Sequence, residues 1–430
     1  MRDTAKYALD AMMKAGADKA SCVATKGRKD EFNVEANKFT LLRTLFSDQL
    51  SLKVIIGGKK GTASVNKLDR DSVDRAVAEC VALTASASPD EAEDVAPLLQ
   101  NKNFDRRIGG ADMDALFKRS KEFMEQVKDE FPKIELAGMT SEFNSGNATY
   151  VNSNGVEFNS QTEYYNAGSF FVAKDGAKAS SFNGWDSTVT SLDAPFMDLG
   201  MQRALLEESV RSIDTRMTEG KFVGKVIVTP ACADMVWGTL IGCFLSDVSM
   251  IQGTSRWKDS LGQRVTDVKL TLRAAPLHPM MPVGERFTGD GFESKDFCFI
   301  ENGILKSFAL SLYGANKTGK PRALNTGYYN LEIPEGDTPL SEMIKSVGKG
   351  ILLNRFSGGS PGPNGDVSGV AKNSFMIENG EITDAISETM VSFNLVEILQ
   401  SIPAISKERI SDGSSLLPWC CFDGITISGK

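Results

Sequence analysis

The order of apolar and polar residues predicts that helices and strands are segregated along this chain. Residues 4–16, 70–86 and 112–131 carry apolar side chains at the three- and four-residue spacing of amphipathic helices. Residues 20–65 and 134–192 instead contain short runs of β-prone residues bounded by turn signals, which is typical of strands. Because helices and antiparallel hairpins do not alternate regularly, the pattern indicates the α+β class.

The strands of the first half are predicted to be short and to be joined by tight turns. Five runs precede the second helix: residues 21–25, 31–35, 40–46, 50–56 and 61–65. Gly57-Gly58, Asn154-Gly155 and Asp175-Gly176 have the composition of hairpin turns, since glycine and asparagine accept a positive φ. Residues 88–110 indicate an irregular acidic stretch.

Two domains are expected from the length of the chain and the change of pattern near its middle. A helix over residues 199–212 closes the first half, and residues 214–224 have the composition of a connection. The expected boundaries are 1–214 for an N-terminal α+β domain, with subregions of about 1–105 and 110–214, and 215–430 for a C-terminal β-rich domain.

The second half is predicted to begin with a strand that leads into an apolar helix. The strand covers residues 225–229, and the helix covers residues 230–244 with Pro230 in its first turn. Asn302-Gly303 and Asn379-Gly380 each lie between β-prone residues and predict two hairpins. A last helix is expected over residues 388–401.

Composition narrows the classes of function. The formal charge is −8 and the pI is about 5.1, whereas a nucleic-acid binder needs clustered lysine and arginine to neutralise phosphates. The single histidine, His278, excludes mechanisms that need two imidazoles, and with them most zinc hydrolases. Seven cysteines without CxxC spacing predict neither a zinc ribbon nor a disulfide framework.

No targeting or membrane segment is expected. Asp3, Asp10 and Lys14 interrupt what would be the apolar part of a signal peptide. The longest nearly uncharged apolar stretch, residues 235–245, is too short to cross a bilayer. We therefore expect a cytoplasmic protein with reduced thiols and no membrane contact.

Two segments allow both a chemical and a structural interpretation. The glycine-rich stretch 357–366 could cradle a phosphate, but its prolines remove N–H donors and no Walker sequence follows, so a mobile loop is favoured. Cys420-Cys421 could supply a thiolate nucleophile, but the one imidazole is distant in sequence, so buried packing is favoured. The spacing of the carboxylates singles out no acid–base pair.

Several stretches, in one order over nearly the whole chain, resemble the TldD/PmbA family, the so-called modulators of DNA gyrase. They are residues 54–73 with the alanine-rich helix that ends in Ser88-Pro89-Asp90, Asn152-Ser153-Asn154-Gly155, Asp259-Ser260-Leu261-Gly262, residues 373–382 with their Ile-Glu-Asn-Gly core, and residues 418–429. No single stretch is decisive. Their common order carries the resemblance.

TldD-type members of this family have an HExxxH zinc motif on a helix and a late cysteine ligand, and PmbA/TldE-type members lack the motif. Counting back without gaps from Gly253-Thr254-Ser255 places the motif positions on Gly238, Thr239 and Cys243. A shift by one residue places them on Trp237, Gly238 and Gly242 instead. Neither register supplies a histidine or the general-base glutamate. Residues 403–415, where the late cysteine would be expected, contain none. The chain therefore resembles the PmbA/TldE type, with no catalytic residue, metal ligand or cofactor expected.

The resemblance implies a role beside a TldD-type zinc metallopeptidase. The assembly would act on unfolded peptides, in peptide maturation and antitoxin turnover, with zinc in the TldD-type partner and this chain non-catalytic by itself. Self-association is expected, and direct contact with nucleic acid is not. The alternatives are a peptide-binding or scaffolding homo-oligomer without enzymatic activity, and a thiol hydrolase that uses Cys420 or Cys421.

Two hairpin turns are the candidates for contact with a peptide or a partner. They are Asn302-Gly303 and Asn379-Gly380, which can present strand edges. Unpaired edges recruit extended chains through backbone hydrogen bonds. We therefore expect binding at Asn302, Gly303, Asn379 and Gly380.

Overall fold

The chain folds into two β-sheets covered by helices, and the predicted α+β class is confirmed. The computed structural model describes residues 1–98 and 101–430. Strands up to Val189 form an 8-stranded sheet, and strands from Thr215 onward form a 14-stranded sheet. Within the described residues, no helix combines the length and the apolar character that crossing a membrane requires.

Long antiparallel strands build the first sheet. They are β1 (Lys19–Glu35), β2 (Lys38–Ile56), β3 (Lys59–Val65), β4 (Lys102–Arg106), β5 (Ile134–Asn152), β6 (Glu157–Asp175), β7 (Lys178–Ala179) and β8 (Asn183–Val189). Their order is β3-β2-β1-β5-β6-β4, with β7 and β8 also paired to β6.

Pairing lengthens these strands beyond the sequence prediction. The five short runs expected before the second helix merge into β1, β2 and β3, because β1 pairs with β2 along nearly its whole length and bridges the polar gaps. The stretch 88–110 is not irregular throughout, since β4 pairs in parallel with β6. The turns at Gly57-Gly58 and Asn154-Gly155 lie where predicted.

In the described part of the chain, four helices cover the first sheet. They are α1 (Arg2–Lys14), α2 (Arg70–Thr84), α3 (Met113–Glu130) and α4 (Gln202–Arg211). The side chains of Asp69 and Asp112 accept hydrogen bonds from the first turns of α2 and α3, so both helices begin as the sequence predicts. α4 begins later than residue 199, because Phe196–Asp198 form a short 3-10 turn.

The second sheet is assembled from shorter strands around one long central strand. They are β9 (Thr215–Met217), β10 (Lys221–Val228), β11 (Leu272–Ala274), β12 (Phe297–Glu301), β13 (Ile304–Leu305), β14 (Leu331–Glu332), β15 (Lys349–Leu353), β16 (Arg355–Gly358), β17 (Asp366–Lys372), β18 (Ser374–Glu378), β19 (Glu381–Ser387), β20 (Met390–Asn394), β21 (Ala404–Ser411) and β22 (Leu416–Ser428). The main order is β13-β12-β11-β14-β22-β10-β15-β18-β19-β9. β22 also pairs with β20 and β21.

Short helices accompany this sheet. They are α5 (Asp234–Leu240), α6 (Asp247–Ile251), α7 (Leu312–Thr318), α8 (Leu340–Lys345) and α9 (Leu395–Ile398). The helix predicted over 388–401 is largely wrong: β20 occupies its first half, because Val391 and Phe393 turn inward while the strand pairs with β17 and β22.

Two further segments of the second half differ from the prediction. Residues 214–224, expected as a connection, already contain β9 and the start of β10. The stretch 357–366 is a loop only between β16 and β17, and these two strands pair with each other. In both segments, residues with weak strand propensity form strands because they pair with neighbours that are distant in sequence.

Polar contacts join the two halves of the chain. The hydroxyl of Tyr313 and the Nζ of Lys317, both on α7, lie 2.9 Å from Oδ2 of Asp90. The hydrogen bond from Lys317 is the main cause that lowers the pKa of Asp90 to about 2. Arg106 on β4 donates to the carbonyls of Pro282 and Gly284 at 2.7 and 2.9 Å. These bonds hold the first sheet against the second.

Candidate functional site

The helix on which the sequence analysis placed the positions of an HExxxH motif borders an open cleft. A 3-10 turn at Pro230–Cys232 follows β10, and α5 then continues into a π-helical turn at Ile241–Leu245. Opposite this helix lies β16 with the loop that follows it. The cleft between them has a volume of about 560 Å³.

The two possible registers of the motif place different side chains in this cleft. Gly238, Thr239 and Cys243 all line it. Trp237 points the other way, is 1% exposed and packs against Phe422 with 6.1 Å between ring centroids. Of the two ways to place the motif, only the one counted back without a gap puts all three of its positions, 238, 239 and 243, on the cleft wall.

The helix that carries these positions ends in a π-helical turn at Ile241–Leu245. Turns of this kind are rare and occur often at functional sites. The apolar periodicity of residues 230–244 gives no signal for this turn, so sequence reasoning missed it.

The residues on this wall do not fit a zinc ion. Gly238 has no side chain and Thr239 is a neutral alcohol, so Cys243 is the one ligand type among the three. Burial raises the pKa of the Cys243 thiol, and its Sγ lies 3.6 Å from the carbonyl of Gly362. Across residues 1–98 and 101–430, no group of three His, Cys, Asp or Glu side chains could hold a metal ion.

A second, larger cleft adjoins the first and lies between the two sheets. Its volume is about 770 Å³, and its walls come from β1, β5, β6 and β8 on one side and from residues 231 and 354–355 on the other. Ala231 and Arg355 line both clefts, so the two adjoin at these residues, and we call them together the groove. Arg355 donates to the carbonyl of Phe182 and thereby links the halves at this junction.

Carboxyl groups of the first sheet line the larger part of the groove. Glu35, Glu135 and Asp186 line its larger part. Burial is the main cause that raises the pKa of Asp186, and the charges of Glu142 and Asp412 add to it.

The four residues predicted to contact peptide or partner do not lie together. Asn302 and Gly303 join β12 to β13 at one end of the sheet order, and Asn379 and Gly380 join β18 to β19 near the other end. All four N–H groups are used within the chain: those of Gly303 and Gly380, for example, donate to the carbonyls of Leu270 and Val347 at 2.9 Å. Binding at these turns stays a prediction, and it would have to use side chains or carbonyl groups.

The paired cysteines lie in the core. Cys420 and Cys421 are on β22, both are buried, and burial raises the pKa of both thiols, that of Cys421 to about 12. His278 is half-buried, and its Nδ1 accepts a hydrogen bond from the N–H of Met280. A thiolate nucleophile therefore has neither access nor an activated state at neutral pH.

We expect Cys421→Ala to leave peptide hydrolysis by an assembly that contains this chain within a few-fold of the wild-type rate. The side chain packs in the core, and alanine preserves an apolar group there. Turnover of an unstructured peptide is the measurement, with assembly checked by gel filtration. A loss on the order of a thousandfold with intact assembly would instead support the thiol hydrolase.

Comparison with known proteins relates the chain to one family. Residues 220–429 match the family model described as PmbA/TldA metallopeptidase C-terminal domain. The chain is 23% identical to a metalloprotease PmbA homolog of Haemophilus influenzae, over 100% of this chain and 96% of that protein. It is 27% identical to metalloprotease PmbA of Escherichia coli O157:H7, over 50% of this chain and 48% of that protein.

Solved structures show the same fold. TldE from Thermococcus kodakarensis superposes with a TM-score of 0.85 at 18% identity, covering 99% of this chain and 100% of that chain. A Bacteroides thetaiotaomicron protein described as a modulator of DNA gyrase superposes with a TM-score of 0.83 at 22% identity, covering 100% and 98%. The similarity thus extends beyond the matched domain to the first sheet.

Proposed function

Since this chain belongs to the TldD/PmbA family, we propose that it is the PmbA/TldE-like subunit of a cytoplasmic metallopeptidase system that acts on unfolded peptides, and that it does not hydrolyse peptides by itself. The relatives named as metalloproteases set the reaction class. The proposed substrates are those that the resemblance implies, peptides in maturation and antitoxins in turnover.

One observation supports the proposal: the motif positions share one cleft wall, and Cys243 is the one zinc-ligand type among them. Gly238, Thr239 and Cys243 have the order and spacing of the family motif. Hydrolysis by a zinc enzyme needs about three protein ligands, an open position for water and a base. We therefore propose that the activated water comes from a TldD-type partner.

The groove beside this wall suits an extended peptide. β16 pairs on one side with β17, and Arg355, Phe356 and Gly358 of the same strand line the cleft. A peptide added along such a strand is recognised through main-chain hydrogen bonds, with little dependence on its sequence. This supports a subunit that helps to hold unfolded chains while the partner cleaves them.

The proposal is tested by measuring hydrolysis of an unstructured peptide by this chain alone, by a TldD-type partner alone and by the mixture. We expect chelator-sensitive cleavage in the mixture, no cleavage by this chain alone, and no stoichiometric zinc in this chain by elemental analysis. The physical reason is the missing ligand set around Cys243.

Two variants make this test specific. Cys243→Ala removes the thiol in the cleft, and Cys298→Ala removes a thiol of similar burial elsewhere, so the second is a matched control. Chelator-sensitive cleavage by the highly pure chain alone, or one tightly held zinc that Cys243→Ala releases and Cys298→Ala retains, would refute the non-catalytic assignment. If affinity purification recovers only copies of this chain, the scaffolding alternative is favoured.

A further inference from the structure

Glycines open the floor of the groove where the first sheet forms it. Gly138 on β5 pairs with Phe170 on β6, and Phe170 pairs in turn with Gly184 on β8. Paired residues of neighbouring strands turn to the same face of a sheet, so Phe170 stands in a row between two residues without side chains. Among the described residues, a Cβ atom at position 138 would meet, apart from its chain neighbours, only the carbonyl oxygen of Val34, at 3.9 Å. The flank of the Phe170 ring towards β5 is therefore open.

A second aromatic ring borders the same floor. Phe182, just before β8, stacks on Phe170 with 4.8 Å between the ring centroids and 14° between the ring planes. The two side chains are 46% and 48% exposed. Arg355 and Asn373 donate to the carbonyl of Phe182, so the second half of the chain holds the backbone that carries this ring. A half-exposed, stacked pair in a concave surface is typical of a site that takes an apolar or aromatic group.

A carboxyl group lies beside the aromatic pair on this floor. Asp186 on β8 pairs with Gly168 on β6. A Cβ atom at position 168 would lie 2.1 Å from Oδ1 of Asp186, so the carboxyl group lies across this glycine. Burial, and then the negative charges of Glu142 and Asp412, raise the pKa of this carboxyl group. A bound cation would offset the repulsion among these three acidic groups.

The aromatic pair and the carboxyl group are spaced like alternate residues of an extended peptide. Asp186 lies diagonally opposite Phe170, since Phe170 pairs with Gly184, two residues before Asp186. Diagonal neighbours of this kind are ~7–8 Å apart. In an extended chain, alternate residues point to the same side and are ~6.8 Å apart, which is twice the rise per residue. One peptide can therefore place an aromatic side chain at the rings and a cation at the carboxyl group.

We propose that Phe170, Phe182 and Asp186 form a subsite of the groove for an extended peptide in which one residue separates an aromatic side chain from a lysine or arginine. The inference rests on the proposed function, because it takes the groove to hold unfolded peptides, and it adds a preference among them. Main-chain hydrogen bonds along β16 depend little on peptide sequence. The aromatic ring in the open space beside Phe170, together with the cation at Asp186, decides which segment of a peptide the groove holds.

Equilibrium binding to this chain alone tests the inference, measured by fluorescence anisotropy with short, labelled glycine-serine peptides. A peptide with Phe-Ser-Lys at its centre should bind with a dissociation constant of roughly 10–500 µM. Ala-Ser-Lys should bind about tenfold more weakly, because the aromatic contact is lost. Phe-Ser-Glu should bind at least about threefold more weakly, because its charge repels the carboxyl group. Phe-Lys-Ser has the same composition as the first peptide and should also bind about threefold more weakly, because adjacent residues point to opposite sides.

Variants of the chain assign these differences to the subsite. Phe170→Ala should weaken binding of the Phe-Ser-Lys peptide about tenfold, whereas Phe170→Tyr keeps the ring and should bind as the wild type does. Asp186→Asn should bind the Phe-Ser-Lys and Phe-Ser-Glu peptides equally. The matched controls are Phe117→Ala, which removes a ring that is 41% exposed, and Asp10→Asn, which removes an exposed carboxyl group. Circular dichroism checks that each variant is folded. If Phe170→Ala does not fold, the peptide series on the wild type and on Asp186→Asn decides.

Three results would overturn the inference: no binding of the Phe-Ser-Lys peptide up to about 1 mM, equal affinities for Phe-Ser-Lys and Phe-Lys-Ser, or a folded Phe170→Ala that binds as the wild type does. The hydrolysis assay keeps this inference distinct from the proposed function. Cleavage by the mixture with a TldD-type partner, without any preference in binding, would refute the subsite and leave the proposed function standing. The expected preference in binding, without cleavage by the mixture, would support the subsite and refute the proposed function.

Discussion

Replacing Trp237 with alanine is expected to lower the free energy of unfolding by about 3–5 kcal/mol, the cost typical of removing a large aromatic side chain from a core. Trp237 is the largest of the fully buried side chains, on the far side of α5 from the cleft. It belongs to the main core of the second sheet, where it packs against Phe422 of β22. The cavity left behind would loosen the helix that forms one wall of the groove.

Urea unfolding monitored by circular dichroism measures this effect. Tyr329→Ala is the control, because it removes a ring of similar size that is 73% exposed, and we expect it to change the free energy of unfolding by less than about 0.5 kcal/mol. A loss below about 1 kcal/mol for Trp237→Ala would show that the core of the second half does not depend on this residue. That result would instead support the placement of the motif that puts Trp237 in the cleft.

Glu208→Gln is expected to stabilise the protein at neutral pH and to remove a pH dependence between about pH 5 and 8. Glu208 lies on α4 beside Asn354, in the contact between the two halves, and burial raises the pKa of its carboxyl group to about 8. The side chain of Asn354 and, to a smaller extent, the charge of Arg211 oppose this rise in pKa, and the charge of Glu207 adds to it. Among the described residues, neither Glu208 Oε2 nor Asn354 Oδ1 has a hydrogen-bond partner.

The direction in which the free energy of unfolding changes with pH follows from the number of protons that the folded and unfolded states bind. The unfolded chain gives up this proton near pH 4.5, whereas the folded chain keeps it to about pH 8. Between these values the folded state holds more protons, so the free energy of unfolding falls as pH rises, by at most ~1.4 kcal/mol per pH unit. Because Glu208 is partly exposed, we expect about 1–3 kcal/mol at pH 7. Glutamine keeps the shape and stays neutral, and its amide can donate to Asn354 Oδ1.

Thermal unfolding at half-unit pH intervals checks this prediction. The difference between Glu208→Gln and the wild type should be small at pH 5 and should grow steadily towards pH 8. Glu207→Gln, at the exposed neighbouring position on the same helix, should change the pH profile much less, because it removes only the smallest of the contributions at Glu208. Parallel pH profiles for the wild type and Glu208→Gln would mean that Glu208 is ionised in the folded state.

The absence of histidine and glutamate from the motif positions is readable from the sequence, because it depends on residue identity alone. A glycine, a threonine or a tryptophan cannot replace histidine or glutamate at any position of a zinc site. The sequence left open which of the two registers faces the cleft, because the side of a helix that packs on the core is set by its neighbours. The structure buries Trp237 against Phe422 and places residues 238, 239 and 243 on the cleft wall.

The sequence predicted where two hairpin turns lie, but not whether their backbone groups are free to bind another chain. Asn302-Gly303 and Asn379-Gly380 form hairpins as predicted, since the positive φ of both asparagines and both glycines is a local requirement. Whether the N–H groups of these turns are free is not a local property. Leu270 and Val347, far away in sequence, accept the N–H groups of Gly303 and Gly380.

The sequence alone determined what short-range physics controls: helices α1 to α3, the aspartate caps of α2 and α3, the hairpin turns and the α+β class. Tertiary structure decided the rest, because the length and position of a strand depend on its neighbours more than on its own residues. β20 became a strand where a helix was expected, β22 became the centre of the second sheet, and β1 joined runs that polar residues separate. The groove exists only after these pairings, since it is bounded by segments far apart in the chain.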